Sequence, residues 1–551
     1  MSIINFKLNG ADASCEAGEP LVSLIGAQGP GSSLPVVAAL VNNAVKELSY
    51  KPAGGEDITF LTPGDQTGNS VYLRGLLHVL LQAVKKTMPE RELFIEHSMN
   101  EGIYCEVRGD EEFSPFDLEH IEREMKKICE LDEPFVRQLI SREEAIAFYR
   151  AEGNTDKARL LKHREDAVFK VYSCGGVSEY FFGHMPPSTG YVGRFALVMT
   201  PPGFVLLYPK QKNPEGEFHF TPSPKLAHVF RQSERWADIL GVGTVPDLND
   251  LVERGDLPDF IRVNEALHER TISDIASRIV REKRRIVLVS GPSSSGKTTF
   301  AQRLAVQLRA AERKTAMISL DNYYLERTKL QPKPDGTYDL EDINALDVPL
   351  FNQNLCDLLA GKEVQTPRFD FKTKKSVPGK VVKLDDDRIL LIEGIHGLNE
   401  TMTCAVDPDE KFKIYISALT QLNLDSHDRI STSNSRFIRR LVRDHMHRGM
   451  SAERTLSIWP SVREGEDRWI FPYQEQCDVM FNSTLVYELL FLKKLAMPLL
   501  LDVKKDSPNF IEANYLAKLL KYFVDPKPED EQEIPRTSIL REFIGGGSFE
   551  Q

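Results

Sequence analysis

The sequence predicts an α/β protein whose C-terminal part folds around a parallel sheet, preceded by a small β-rich unit and a mixed α+β region. From Arg285 onward, short apolar strands alternate with helical stretches, which is typical of a sheet covered by helices on both faces. A glycine-rich loop joins the first of these strands to a helix. Residues 1–62, in contrast, contain short strand patterns and turns and predict a separate β-rich unit.

The N-terminal elements follow from their periodicity. Residues 3–8 predict a strand that ends in an Asn9-Gly10 turn, and 21–25 form a short apolar segment. Further strands are predicted at 36–41, 58–61, 168–172, 195–199 and 204–207. Residues 69–88 change to a helical period, and 116–149 carry two more helical patterns. The mixture predicts an α+β region over 63–230.

The rest of the chain divides into a connector, a sheet region and a tail. Residues 231–283 are mostly polar and helical in pattern, and predict a helical connector. The predicted parallel strands are 286–290, 316–320, 389–392, 412–416 and 479–482. They belong to a domain over 284–524. Residues 525–551 begin with a charged run and end near three glycines, which predicts a mobile tail.

Composition excludes several classes of protein. A chain of 551 residues suggests three or four domains. No apolar run approaches the ~18 residues of a membrane span, and the N-terminus lacks the pattern of a signal peptide. Seven cysteines without a C-x-x-C pair suit a reducing cytoplasm. A net charge of −12 argues against a nucleic-acid partner, although a local basic patch stays open.

The strongest motif is a G-x-x-x-x-G-K-[ST] loop between the strand at 286–290 and a helix. Its glycines let backbone N–H groups surround phosphate oxygens, and the helix start adds a favourable dipole. Lys297 is expected to neutralise the β- and γ-phosphates, and the Thr298 hydroxyl to hold Mg²⁺. The predicted ATP-binding residues are Gly291, Pro292, Ser293, Ser294, Ser295, Gly296, Lys297, Thr298 and Thr299. A chance match in a Gly/Ser turn is the alternative, and the flanking strand and helix disfavour it.

Two carboxylates follow strands of the predicted sheet. Asp321 comes directly after 316–320, and Glu393 after 389–392. The carboxyl ends of such strands bind ligands in open α/β sheets. Asp321 is therefore placed to accept the proton of an attacking hydroxyl, and Glu393 to lie near Mg²⁺. The alternatives are an N-cap for Asp321 and a helix-start carboxylate for Glu393.

Five arginines lie in one helical stretch. They are Arg436, Arg439, Arg440, Arg443 and Arg448. Offsets of 0, 3, 4 and 7 place the first four on one helix face. Guanidiniums on one face repel each other unless they meet anions, so the group predicts a lid that grips phosphates. The alternative is a solvated face paired with Asp428 and Asp444.

Residues 284–504 resemble the uridine kinase/phosphoribulokinase group of P-loop kinases. The matching segments are G-P-S-S-S-G-K-T-T, S-L-D-N-Y-Y, Y-D-L-E-D, P-R-F-D-F, L-I-E-G-I and R-R-L-V-R-D-x-x-x-R-G. The resemblance implies a nucleoside 5′-kinase that uses Mg²⁺ with ATP, or GTP. In that family Asp321 would be the base and Asp339 would bind ribose hydroxyls. The implied base pocket consists of Tyr324, Tyr338 and Phe369, and the implied catalytic lid arginines are Arg440, Arg443 and Arg448.

The chain departs from this family on the acceptor side. Where uridine kinases usually read R-G-R-D, residues 448–451 read R-G-M-S. A histidine that reads the pyrimidine is replaced by Lys374, and Arg463 is a candidate replacement for the missing lid arginine. These differences leave the identity of the nucleoside open.

The first 230 residues resemble the N-terminal region of threonyl-tRNA synthetase. Residues 1–62 resemble its TGS domain, a β-grasp fold, and 63–230 its editing domain. The resemblance rests on the helix at 73–89, the E-H-S-M-N-E-G-I-Y-C-E-V run, and the Y-S-C-G-G to G-H stretch at 172–184. Of four metal-type ligands in that editing domain, only His78 and His184 remain, since Arg74 and Phe181 replace the others. A metal-activated water is therefore not expected.

Three functional hypotheses result. The leading one is a kinase that converts uridine or cytidine to its 5′-monophosphate. The second is a kinase of a phosphosugar or another small alcohol. The third is an RNA- or tRNA-linked regulator in which the kinase fold is a nucleotide-dependent switch. A nucleoside and a nucleoside triphosphate are the expected partners, no membrane contact is expected, and a homo-oligomer is left open.

Overall fold

A five-stranded sheet opens the chain in the computed structural model, which describes residues 3–28, 34–164, 166–332, 338–370, 373–385, 387–420 and 422–549. Its strands are β1 (Ile3–Leu8), β2 (Ala11–Glu16), β3 (Ala38–Val41), β4 (Ala44–Lys46) and β5 (Asp57–Leu61). Their order is β2-β1-β5-β3-β4, with β1 and β5 parallel. The predicted turn after β1 is present, because Asn9 and Gly10 adopt φ of 50° and 83°. The segment predicted at 21–25 is a 3-10 helix, Leu21–Gln28.

The next region combines two antiparallel sheets with four helices. Its elements are α1 (Gln66–Thr87), β6 (Glu92–Met99), β7 (Gly102–Arg108), α2 (Pro115–Leu131), β8 (Val136–Ser141), α3 (Arg142–Ala151), α4 (Thr155–Lys162), β9 (Val168–Cys174), β10 (Val177–Glu179), β11 (Ala196–Thr200) and β12 (Gly203–Leu207). The sheet orders are β11-β12-β7-β6 and β10-β9-β8. Leu80 of α1, Ile121 of α2 and Phe204 of β12 share one buried cluster. The two helices therefore pack on the larger sheet.

Three helices occupy most of the predicted connector. They are α5 (Pro224–Leu240), α6 (Val245–Arg254) and α7 (Leu257–Arg281). Each has an apolar face, and the α7 residues Ile261, Ile272 and Ile279 are fully buried. They lie in the same hydrophobic cluster as Val287 of the following sheet. With the buried residues of α6 in the same cluster, α6 and α7 are part of that core as well as a link to it.

The C-terminal region is built on a parallel sheet, as predicted. Its elements are β13 (Ile286–Ser290), α8 (Lys297–Ala310), β14 (Lys314–Ser319), α9 (Val348–Leu359), β15 (Glu363–Asp370), β16 (Lys375–Lys383), β17 (Arg388–Glu393), β18 (Lys411–Ser417), α10 (Thr432–Arg448), α11 (Ala452–Trp469), β19 (Val479–Asn482), α12 (Glu488–Leu501), α13 (Phe510–Leu520) and α14 (Arg541–Ile544). The order β14-β17-β13-β18-β19 places β13 at the centre. β15 and β16 form a separate antiparallel pair. The central position of β13 explains why its side chains are all buried.

The tail corrects one prediction. Among the described residues of 525–551, Ile539, Leu540 and Phe543 are fully buried in the core that holds the parallel sheet. The segment is therefore packed rather than mobile over these residues. The charged run that suggested mobility forms only the 3-10 turn Pro528–Glu533, and the apolar residues after it supply the packing. Within the described chain, no helix is long and apolar enough to cross a membrane.

Candidate active site

The phosphate loop connects β13 to α8. A Cβ atom on Gly291 would lie 1.9 Å from the carbonyl oxygen of Ile416, so no larger residue fits there. Gly296 has φ of +82°, and its Cβ would meet Ile539 at 2.5 Å. Both glycines are therefore required by close approach, and the second also by its backbone conformation. The chain then enters α8 at Lys297.

The interior of the loop suits an anion. The hydroxyls of Ser294 and Ser295 are buried and have no hydrogen-bond partner among the described residues. The Lys297 Nζ atom donates to the carbonyl oxygen of Pro292 at 3.1 Å. Unpaired buried donors are costly, and phosphate oxygens would satisfy them. With the start of α8 beside them, these groups can hold the phosphates of a nucleotide.

One lysine and two carboxylates meet beside the loop. Ser319 of β14 pairs in register with Glu393 of β17, so Asp321 follows at the same edge of the sheet. Burial raises the pKa values of Asp321 and Glu393 and lowers that of Lys297, whose charge acts on both carboxylates. The structure thus brings together the three groups that the sequence placed at this edge.

An oxygen-rich set lies where Mg²⁺ would bind. Thr298 is partly buried in the first turn of α8. Glu393 ends β17, the strand that pairs with β13. Mg²⁺ prefers carboxylate, hydroxyl and phosphate oxygens, so the residues present fit this ion.

Two of the five arginines pair with buried carboxylates of the protein, which corrects the prediction that four arginines on one face grip phosphates. Arg436 and Arg439 are 1% and 0% exposed. Arg436 pairs with the buried Glu466, and Arg439 Nε donates to Glu488 at 3.0 Å. Because these carboxylates come from α11 and α12, helical spacing alone could not reveal them.

Arg436 and Arg439 instead bind the backbone of the phosphate loop. Arg436 Nη2 donates to the Ser293 carbonyl at 3.1 Å. Arg439 Nη1 reaches the Ser294 carbonyl at 3.4 Å. Glu466 also accepts the Ser293 N–H at 3.0 Å. These contacts fix the loop backbone, and the sequence reasoning missed both carboxylates, Glu466 and Glu488, that take part in them or hold the arginines.

The remaining three arginines gather around one carboxylate. Asp444 is completely buried and lies 3.2 Å from Arg440 Nε, 3.6 Å from Arg443 Nη2 and 3.1 Å from Arg448 Nη1. Arg440 also donates to the Ser293 hydroxyl at 2.8 Å. The charges of Arg443 and Arg448 act on Asp321. Three guanidinium groups of the same helix thus share one buried carboxylate, and Arg440 also reaches the phosphate loop.

Two of the aromatic residues implied for the acceptor, Tyr324 and Phe369, lie near Asp321. Their ring centroids are 5.8 Å apart, and burial with the charge of Asp321 raises the pKa of Tyr324. These two rings form one side of a region next to the predicted base. The Tyr338 ring instead lies 5.5 Å from the Arg327 guanidinium.

The polar residues implied for the acceptor are Asp339, Lys374 and Arg463, and each has its own surroundings. Asp339 Oδ2 lies 3.8 Å from Arg468 Nη1. Lys374 is exposed at φ of 60° beside the β15–β16 pair. Arg463 donates to Glu466 at 2.9 Å. Arg463 therefore lies on the phosphate-loop side, next to the carboxylate that binds Ser293.

Two further carboxylates lie at the site without having been singled out from the sequence. Burial raises the pKa of Glu341 to about 7, and Arg440 opposes this effect. Glu542 of α14 accepts a hydrogen bond from Thr299 Oγ1 at 2.8 Å. Glu341 belongs to the Y-D-L-E-D segment, which was a usable signal. Glu542 lies in the segment predicted to be mobile, so nothing in the sequence pattern pointed to it.

Two histidines, His78 and His184, remain of the four metal-type ligands of the editing domain, and both contact protein side chains. His78 is fully buried, its Nδ1 atom lies 3.0 Å from Gln82 Nε2, and burial lowers its pKa to about 4. Phe181 packs against its ring with centroids 6.0 Å apart. His184 Nδ1 lies 3.5 Å from Glu47. In the described chain neither histidine belongs to a group of three metal-type ligands.

Comparison with known proteins separates the two halves of the chain. Residues 286–488 match the model of the Phosphoribulokinase / Uridine kinase family. The N-terminal region matches curated threonine–tRNA ligases. That of Desulforamulus reducens is 32% identical over 231 residues, which cover 41% of this chain and 36% of the ligase. That of Carboxydothermus hydrogenoformans is 34% identical and covers 31% and 27%, respectively. The chain thus spans about a third of the length of these relatives.

Some solved structures match part of the chain. A possible uridine kinase from Bacillus stearothermophilus is 20% identical, with a TM-score of 0.28, and the match covers 39% of this chain and 98% of that one. A D-glycerate 3-kinase from Cryptococcus neoformans is 17% identical, with a TM-score of 0.23, and the match covers 46% and 88%.

Proposed function

We propose, because residues 286–488 form a domain of the phosphoribulokinase/uridine kinase family, that the protein transfers the γ-phosphoryl group of ATP to an alcohol. The proposed acceptor is the 5′-hydroxyl of a nucleoside, with uridine or cytidine first. The observation that carries the proposal is the meeting of Asp321 with Lys297 at the edge of the sheet. A carboxylate beside a phosphate-binding cation can orient a hydroxyl and accept its proton while the cation balances the charge of the phosphates.

Asp321 is the proposed base. It would accept the proton of the acceptor hydroxyl as the oxygen attacks the γ-phosphorus. Burial raises its pKa, which brings a carboxylate closer to the range in which a general base works. Its neighbours Arg443 and Arg448 supply positive charge on the same side. The acceptor oxygen would then attack the γ-phosphorus with Asp321 beside it and the arginines close to the transferring group.

The chain's own groups would bind and orient the phosphates. The loop hydroxyls and Lys297 would hold the β- and γ-phosphates, while Arg440 and Arg443 would balance the charge of the transferring group. Mg²⁺, held by Thr298 and Glu393 when bound, supplies further neutralisation of that charge. Because α10 is packed against the loop through Arg436 and Arg439, it would keep water away from one side of the transferring group and limit wasteful hydrolysis of ATP.

The nucleoside assignment rests on the acceptor side. Tyr324 and Phe369 offer aromatic faces for a planar base, and Asp339 would accept hydrogen bonds from ribose hydroxyls. Lys374 would lie near the base edge in place of the family's histidine. Phosphosugar and small-alcohol acceptors are the competing chemistry, because sugar pockets also contain aromatic residues.

We further propose the division of the chain into domains and its location. The proposed units are 1–62, 63–230, 231–283 and 284–524, and the tail 525–551 packs on the last of these. In the described chain, β1 to β5 pair only with one another, and the strands of 63–230 pair only with one another. This pairing supports the separation of the first two units. Seven unpaired cysteines support a cytoplasmic location.

An acceptor screen tests the function. Purified protein with Mg²⁺ and ATP would be incubated with uridine, cytidine, adenosine, guanosine, inosine, glycerate and ribulose 5-phosphate, and ADP and product masses recorded. A nucleoside monophosphate supports the proposal and identifies the base. A product only from ribulose 5-phosphate or glycerate would move the protein to the second class of acceptor. Measurable ATP binding with no product from any acceptor would favour a nucleotide-dependent switch instead.

A further inference from the structure

A histidine and two carboxylates meet where the editing-like region contacts the connector helices. His163 directly follows α4, and Asp250 and Glu253 lie three residues apart in α6, which places them on one face of that helix. One ligand atom from each of the three residues lies within 4.8 Å of the other two. Among the described residues, this is the one set of three histidine, cysteine or carboxylate groups that is so close.

The imidazole of His163 faces both carboxylates. Its Nδ1 atom lies 3.5 Å from Glu253 Oε1, and its Nε2 atom lies 3.9 Å from Asp250 Oδ1. The side chain is 6% exposed, and Nε2 is buried with no hydrogen-bond partner among the described residues. A buried polar atom without a partner is costly, so a ligand that binds an imidazole nitrogen would remove an unfavourable feature of this site.

Basic residues hold the two carboxylates through their other oxygens. Arg159 Nη2 donates to Asp250 Oδ2 at 2.7 Å, and Lys162 Nζ donates to Glu253 Oε2 at 2.8 Å. These contacts fix the orientation of both carboxylates. The oxygens that face His163, Asp250 Oδ1 and Glu253 Oε1, are different atoms from those that bind the basic side chains.

The local charge suits a divalent cation. Arg159 also lies 3.2 Å from Asp156 and 3.0 Å from Asp247. With Asp250 and Glu253, four carboxylates therefore share two basic side chains, and negative charge is in excess. Burial lowers the pKa of His163, which favours the neutral imidazole, the form that binds metal ions.

We propose that one ring nitrogen of His163 and the carboxylates of Asp250 and Glu253 bind a divalent transition-metal ion such as zinc, with water as the fourth ligand. Ligand atoms about 2.0–2.2 Å from a tetrahedral zinc ion lie roughly 3.4 Å from one another. The distances of 3.5 and 3.9 Å from the imidazole to the carboxylates are close to this spacing. An imidazole ligand favours zinc over Mg²⁺ and Ca²⁺, which prefer oxygen ligands. The bound ion ties the end of α4 to α6, and it lies on elements other than those that form the phosphate loop.

Zinc titration by isothermal calorimetry tests the site in the full-length protein, after a chelator has removed bound metal. The exposed thiols of Cys356 and Cys404 would be replaced by serine in every protein, so that they do not add a binding event. His163→Gln and Glu253→Gln should each weaken zinc binding at least about tenfold, because each removes a ligand. Zinc should also raise the melting temperature of the parent and have little effect on these two variants.

Control variants separate this site from other metal-binding groups. His219→Gln removes an exposed histidine outside the cluster and should leave zinc binding unchanged. Glu393→Gln alters the predicted Mg²⁺ site beside the phosphate loop and should also leave this binding event unchanged, so the result does not depend on the proposed kinase function. Titration with Mg²⁺ in place of zinc should give no binding event that depends on His163.

Melting curves of the metal-free proteins control for folding. The Glu253 side chain is 44% exposed, so Glu253→Gln should fold like the parent even if His163→Gln does not. Equal zinc binding by the parent and both ligand variants, or no saturable binding below millimolar zinc, would overturn the proposal. Loss of the binding event in Glu393→Gln would also overturn it, because the ion would then lie at the phosphate loop. Binding of Mg²⁺ as tight as that of zinc, and equally dependent on His163, would contradict the assignment to a transition metal.

Discussion

Glu542 of α14 accepts a hydrogen bond from the Thr299 hydroxyl in the first turn of α8, with the two oxygens 2.8 Å apart. The same short helix places Phe543 with its ring 5.0 Å from the Arg439 guanidinium. Ile539, just before it, lies against Gly296. The last described helix is therefore attached to both the phosphate loop and the lid helix, and acts as a structural part of the nucleotide site.

Glu542→Ala should weaken ATP binding and lower the melting temperature. It leaves the buried Thr299 hydroxyl without its acceptor, which costs about 1–3 kcal/mol. Glu542→Gln keeps an acceptor oxygen at nearly the same place and should retain most of the stability. ATP dissociation constants from calorimetry and melting curves would measure the two effects.

The matched control is Glu533→Gln, because Glu533 forms an exposed pair with Arg262 at 2.8 Å. It should change neither quantity appreciably. If Glu542→Ala bound ATP and melted like the parent, α14 would have no role in the nucleotide site.

Asp444→Asn should destabilise the lid helix. Asp444 is the shared partner of Arg440, Arg443 and Arg448 and is completely buried. Removal of its charge leaves three neighbouring cations, and the loss of one member of a buried pair costs about 3–5 kcal/mol. Urea unfolding would measure the loss, with Asp506→Asn at an exposed position as the control. A variant as stable as the parent would show that the three arginines do not depend on this carboxylate.

The parallel sheet could be predicted from the sequence because its strands are buried on both faces. Continuous apolar runs gave the exact bounds of β13 and β19, and β14 begins only two residues before its predicted start. Asp321 and Glu393 were predictable for the same reason, since a residue after a buried parallel strand lies at the ligand-binding edge. The local sequence pattern was sufficient here, because a strand that is buried on both faces consists of consecutive apolar residues.

The partners of the arginines could not be predicted in this way. Arg436 and Arg439 share a helix face with the lid arginines, but Glu466 and Glu488 lie 30 and 49 residues further along the chain. Helical spacing shows which residues share a face, and it does not show what that face packs against. The prediction of a mobile tail was wrong for a related reason. The charged run suggested mobility, but Ile539, Leu540 and Phe543 are buried, and only the fold shows the core in which they pack.

Asp321→Asn should abolish phosphoryl transfer while ATP still binds. The amide keeps the size of the side chain but cannot accept the proton of the acceptor hydroxyl, and loss of a general base costs about 10²–10⁴ in rate. Initial rates with the acceptor found in the screen, together with calorimetry for ATP, would separate chemistry from binding. Asp339→Asn should instead raise KM for the acceptor and leave ATP binding intact. Near-parental kcat in Asp321→Asn would remove this residue from the role of base.

Glu234→Gln should stabilise the protein at alkaline pH and lose this effect in acid. Glu234 Oε1 lies 3.8 Å from His97 and has no hydrogen-bond partner among the described residues. Burial, with the charges of Glu96 and Glu106, raises the pKa of Glu234 to about 8 from an ordinary value of 4.5. Between these two values the folded protein holds a proton that the unfolded chain has released, so the free energy of unfolding falls as pH rises. Glutamine carries no charge at any pH and escapes this loss. Melting temperatures of the variant and the parent should therefore agree near about pH 4.5 and differ by a few degrees in favour of the variant near about pH 8.5; a constant difference across this range would show that Glu234 titrates normally.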